Sequence, residues 1–105
     1  MTRQILPSRR RAETFTLQFG NQTVTITLGF YPDNSLGEIF VGVGKTGNDI
    51  QAVARDAAVL VSLALQHGVA LETIYHAMTR GAAGPASILG AVVDSITTNS
   101  FSGSV

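Results

Sequence analysis

Two runs of alternating residues joined by Gly20-Asn21 constrain this chain more than any other feature. From Glu13 to Phe19, Phe15, Leu17 and Phe19 fall on one side and Thr14, Thr16 and Gln18 on the other. That is the period of a half-buried strand. From Thr23 to Phe30 the pattern repeats, with Val24, Ile26, Leu28 and Phe30 inward and Thr23, Thr25 and Thr27 outward. Gly-Asn between two such runs predicts a β-hairpin. Tyr31–Gly37, with Pro32, Asp33 and Asn34, reads as a loop, and Glu38–Val43 as a third strand with Ile39, Val41 and Val43 on one side. Strands joined so closely pair most simply as an antiparallel meander.

Asp49–His67 contains neither Gly nor Pro and is rich in Ala and Leu, which predicts a helix roughly 28 Å long. Asn48 or Thr46 suits its N-cap, Asp49 its first turn, and Gly68 its C-terminal stop. Ile50, Val53, Ala54 and Ala57 are expected to face inward, with Gln51, Arg55 and Asp56 toward water. Ala57–Leu65 is apolar on every side, so it must be covered on every side. A three-stranded sheet covers one side; later helices or another subunit must cover the rest. Ala70–Thr79 reads as a second helix through Leu71, Ile74, Tyr75 and Met78. Gly81–Pro85 reads as a flexible break, and Pro85 suits the first turn of a third helix, Ala86–Thr97. The expected fold class is α+β, a three-stranded antiparallel meander followed by three helices on one face (βββααα). Residues 1–12 read as a flexible basic arm, 13–98 as the single domain and 99–105 as a flexible tail.

Composition narrows the function classes. Seven Lys+Arg balance seven Asp+Glu, which disfavours a protein that coats nucleic acid. Charged residues are only 13% of the chain, roughly half the ordinary share, which predicts a surface covered by a second subunit, most simply in a homodimer. There are no cysteines, so disulfides, thiolate metal sites and thiol redox steps are excluded. The basic stretch up to Arg11 is followed by no apolar targeting segment, and Ala57–Leu65 is too short to span a bilayer. A soluble, cytoplasmic protein without a membrane partner is expected. The Arg9–Arg11 cluster reads as a solvated arm or as an anion or partner contact.

Gly44-Lys45-Thr46-Gly47 between a strand and a helix evokes a nucleotide loop, but the glycine required five positions earlier is Ile39. A weaker anion site remains conceivable there, with backbone N–H groups of Gly44, Lys45, Thr46, Gly47 and Asn48 converging and Lys45 adding charge, against repulsion from Asp49. His67 suits the C-terminal dipole of the long helix, and Glu72 and His76 share a face of the next one. No third metal ligand joins that pair, and no nucleophile–base set is present, so neither a metal, a cofactor nor a catalytic residue is expected. Ser62 is expected to bond back to a carbonyl one turn earlier. Within the apolar stretch, Val59, Leu60, Ser62 and Leu63 are the candidate interface residues.

Val43-Gly44-Lys45-Thr46-Gly47-Asn48-Asp49, then Ala57–Val69 and Leu71-Glu72, resembles the TSCPD domain, found near the C-terminus of adenosylcobalamin-dependent ribonucleotide reductases and in short stand-alone proteins. The resemblance runs from Glu38 to Thr97. Where the family carries its Thr-Ser-Cys-Pro-Asp stretch, this chain has Pro85-Ala86-Ser87-Ile88-Leu89-Gly90. Ribonucleotide reduction needs a thiyl-forming cysteine and a reducible pair, so the resemblance carries over no catalytic or cobalamin-binding residue. What it implies is a non-catalytic, oligomeric accessory module in nucleotide metabolism whose partner is a reductase or a related enzyme. The alternative is a nucleotide- or phosphate-sensing module at Gly44–Gly47.

Overall fold

In the computed structural model, which describes residues 2–44 and 49–99, three strands come first: β1 (Ala12–Phe19), β2 (Gln22–Phe30) and β3 (Leu36–Val43). They form one antiparallel sheet in the order β1-β2-β3. Phe19 pairs with Gln22 across Gly20-Asn21, and Gly20 at φ 61° takes the left-handed conformation that the first position of a two-residue turn requires. The alternation fixes the faces: Val24, Ile26, Leu28, Phe30, Ile39, Val41 and Val43 are buried on one side. Threonines dominate the other, where Thr14 and Thr27 share a 3.0 Å hydroxyl hydrogen bond across the β1–β2 pair.

The helix α1 (Asp49–Gln66) lies along β3 and buries Ala54, Ala58 and Val61 against the sheet. Its C-terminus closes as expected at Gly68, whose φ is 95°; Gly68 N–H bonds Leu65 O at 3.0 Å and Val69 N–H bonds Ala64 O at 3.0 Å. The short α2 (Leu71–Ala77) leads into a two-residue ladder, β4 (Arg80–Gly81) with β5 (Gly84–Pro85). The helix α3 (Ile88–Asn99) brings Leu89, Val92 and Ile96 into the core. The α+β order βββααα therefore stands, with β4–β5 added to it.

Several local expectations need correction. β3 begins at Leu36, so two residues assigned to the loop are strand. α2 is shorter than Ala70–Thr79, and its end at Met78 has extended geometry. The break at Gly81–Pro85 is a tight hairpin, which holds Pro85 in β5 rather than in the first turn of α3. Ser87 caps α3 instead, its Oγ accepting from Gly90 N–H at 3.0 Å. Ile50 and Val53 are not buried as expected but 45% and 67% exposed, where they line an open apolar groove with Met78, Ile88 and Leu89.

Candidate functional site

The join between α1 and β3 holds a row of side-chain-to-backbone hydrogen bonds. β3 is an edge strand, and its pairing with β2 directs the N–H and C=O of Phe40 and Gly42 to that neighbour. Those of Ile39 and Val41 therefore point to the free edge. Along α1, residues four apart recur every 6 Å or so, close to the spacing of alternate residues on a strand. The two repeats match. Gln66 Nε2 donates to Gly37 O at 3.0 Å. One turn earlier, Ser62 Oγ accepts from Ile39 N–H at 2.8 Å and lies 3.2 Å from Ile39 O. It also bonds Ala58 O at 2.9 Å, as its place in an apolar helix predicts.

The row then changes chemistry. One and two turns further back stand Ala58 and Ala54, which carry no polar side-chain atom and leave the Val41 edge without a side-chain partner among the described residues. Beside it runs a groove of about 510 Å³. Thr25, Thr27 and Phe40 line its sheet side, and Arg55, Asp56 and Val59 its helix side. Phe40 is 56% exposed, although it stands in the middle of a strand. Sequence reasoning missed Phe40 and Gln66. The signal for Gln66 was present, since it follows Ser62 by four residues on an otherwise apolar stretch.

Residues 2–11 lie across the opposite half of this edge. Gln4 N–H bonds Gln66 O at 2.7 Å, Arg3 Nε bonds Gln66 Oε1 at 2.6 Å, and the Tyr31 hydroxyl donates to Gln4 O. Burial pushes the Tyr31 hydroxyl pKa up, opposed by nearby Arg3. Arg10 pairs with Glu38, whose carboxylate is largely buried over Gly29; a Cβ at Gly29 would lie 2.2 Å from Glu38 Oε2. Only glycine leaves room for that acid. Arg11 lies over the Phe30 ring, 4.0 Å from its centroid, and 3.4 Å from the Glu13 carboxylate. Of the arginine cluster, Arg10 and Arg11 thus face acids of this chain.

Among the candidate interface residues, Val59 and Leu60 are 55% and 67% exposed, Leu63 is half-buried, and Ser62 is buried and hydrogen-bonded to β3. In the candidate anion loop, Gly44 donates its N–H to Thr23 O at 2.9 Å; Lys45, Thr46, Gly47 and Asn48 lie outside the described residues. His67 Nδ1 is 2.8 Å from Leu63 O, and His76 stands edge-on to the Tyr75 ring. Among the described residues, no three acidic or histidine side chains converge as metal ligands would. No described helix is long and apolar enough to cross a membrane.

Comparison with known proteins places this geometry in context. The model of the TSCPD domain family matches residues 1–98. The chain is 36% identical over 77 residues to a vitamin B12-dependent ribonucleotide reductase of Agrobacterium fabrum, covering 73% of this chain and 6% of the relative. It is 33% identical over 86 residues to the enzyme of that name from Streptantibioticus cattleyicolor, covering 82% of this chain and 14% of the relative. With that of Rhodopirellula baltica it shares 32% identity over 72 residues, 69% of this chain and 7% of the relative. The chain thus spans a small fraction of the length of the curated relatives it matches. No solved structure matches.

Proposed function

The chain belongs to the TSCPD domain family, and from that premise we propose that it is a non-catalytic accessory module of ribonucleotide reduction that acts by docking other proteins. The observation that carries this reading is the groove beside β3. A soluble domain normally covers or charges a strand edge, because unpaired backbone groups there recruit other chains. Here Ser62 and Gln66 close the edge at Ile39 and Gly37 and leave it open at Val41, between exposed Phe40 and Val59. Exposed Phe40 and Val59 beside strand backbone groups with no partner among the described residues favour a protein partner over a small polar ligand. The relatives' names supply the partner class: a vitamin B12-dependent ribonucleotide reductase. The absence of cysteine from these 105 residues fits a supporting role.

The test is biolayer interferometry of the purified chain on an adenosylcobalamin-dependent ribonucleotide reductase. Saturable binding, weakened about tenfold or more by Phe40→Asp at the groove, is expected. Phe40 is exposed, so this variant keeps its fold, which circular dichroism checks. No binding by the unmodified chain at micromolar concentration, or unaltered binding by Phe40→Asp, overturns the reading.

A further inference from the structure

The face of α1 opposite the sheet carries a pattern that the core does not use and that meets the groove only at Asp56 and Leu63. Asp56, Leu60, Leu63 and His67 are spaced four, three and four residues apart, the repeat of a helix–helix seam. All four lie away from the buried Ala54–Ala58–Val61 face. Leu60 is 67% exposed, Leu63 and His67 are half-buried, and Asp56 is open to solvent. Read backwards the spacing is the same, but the two ends differ in charge chemistry. An acid stands at the N-terminal end and an imidazole at the C-terminal end.

We infer that this face is a self-association surface on which a second copy of the chain lays its own α1 antiparallel. In that arrangement Leu60 meets Leu63 of the second copy, Leu63 meets its Leu60, and Asp56 and His67 meet at both ends. Two apolar layers lie in the middle, bounded by two carboxylate–imidazole pairs. A parallel arrangement sets Asp56 against Asp56, which like-charge repulsion disfavours. The His67 ring is already oriented for this contact: Nδ1 donates to Leu63 O at 2.8 Å, so Nε2, when it carries a proton, is the atom left to donate to a carboxylate. Val59, 55% exposed, flanks the seam and extends the apolar contact. The inference rests on the reading of the chain as an interaction module and names one of its occupants, a second copy.

Because the chain has no cysteine, an engineered pair reports the geometry without background. Asp56→Cys with His67→Cys is expected to give a covalent dimer under mild oxidation, and neither single variant is. The two sites are about 16 Å apart along one helix, far beyond disulfide reach within a chain, so the bond has to form between copies. Cross-linking by either single variant alone, or none by the pair, overturns the antiparallel seam. Leu60→Asp provides a second arm, because the exposed position tolerates the charge in a folded chain. Sedimentation is expected to show the unmodified chain as a dimer at micromolar concentration and Leu60→Asp as a folded monomer. An unmodified monomer, or a Leu60→Asp dimer, also overturns the proposal. No reductase is present in either experiment, so the outcome is independent of the Phe40→Asp binding test.

Discussion

The two halves of the β3 edge are built from the same strand and face the same helix, yet they are finished differently. At Gly37 and Ile39, the side chains of Gln66 and Ser62 complete the backbone hydrogen bonds that a neighbouring strand would otherwise make. At Val41 the corresponding helix positions are alanines, and the edge opens into the groove beside Phe40. The difference teaches that a helix running along a strand can close its edge residue by residue. Each helical turn meets one outward-facing strand residue, so one side chain per turn decides between a sealed edge and a docking edge. The closed half is also where residues 3, 4 and 10 lie against the domain, adding Arg3–Gln66 and Arg10–Glu38.

Breaking the closed half should cost most. Ser62→Val removes the acceptor for the buried Ile39 N–H, and a loss of about 2 kcal/mol is expected. Thermal denaturation checks it as a fall in midpoint on the order of 10 °C. Arg10→Ala leaves Glu38 buried without its cation. Because Arg10 is itself partly exposed, the expected loss is about 1–2 kcal/mol, below that of a fully buried pair. Urea denaturation measures it, and replacing Glu38 by Gln in the same chain should recover part of the loss.

Hydrogen exchange sharpens the comparison without a mutation. The Ile39 amide, bonded to Ser62, should exchange at least about tenfold more slowly than that of Val41, its counterpart in the open half. Ala58→Ser tests whether the open half can be sealed. A hydroxyl there stands where the row of Gln66 and Ser62 continues, so exchange at Val41 should slow, while stability changes by less than about 1 kcal/mol. The smallest effect lies in the β2–β3 loop. The Ser35 hydroxyl and then its amide N–H hold the Asp33 carboxyl below the usual carboxylate range. The folded value is thus lower than the unfolded one. This contribution is present above about pH 4 and fades as pH falls through the lowered value. A Ser35→Ala chain should show a higher Asp33 pKa by NMR titration, with little change in stability at neutral pH.

The three strands, the hairpin at Gly20-Asn21 and the extent of α1 were legible because each rests on local rules: a two-residue period, a turn dipeptide, and a stretch without Gly or Pro bounded by Gly68. The ends of α2 and the conformation at Pro85 were not. The β4–β5 pairing that holds Pro85 is a contact between segments that carry almost no periodic signal. The candidate interface residues divide by exposure. Apolarity picked out Val59, Leu60 and Leu63, but the same criterion included Ser62, which the fold turns toward β3.

The sequence alone determined which side of each strand is apolar, where the long helix stops, and that no thiol chemistry resides in this chain. Only the tertiary structure decided which face of that helix meets the sheet. An apolar stretch around a whole helix gives no preferred side, and the choice fell to the small Ala54 and Ala58, which allow close approach to β3. Once that face was taken, Ser62 and Gln66 were aligned with Ile39 and Gly37, and Leu60 was turned to the outside. The register of helix against strand is a long-range packing solution. It depends on shape and hydrogen-bond geometry between segments far apart in the chain, so no local pattern encodes it.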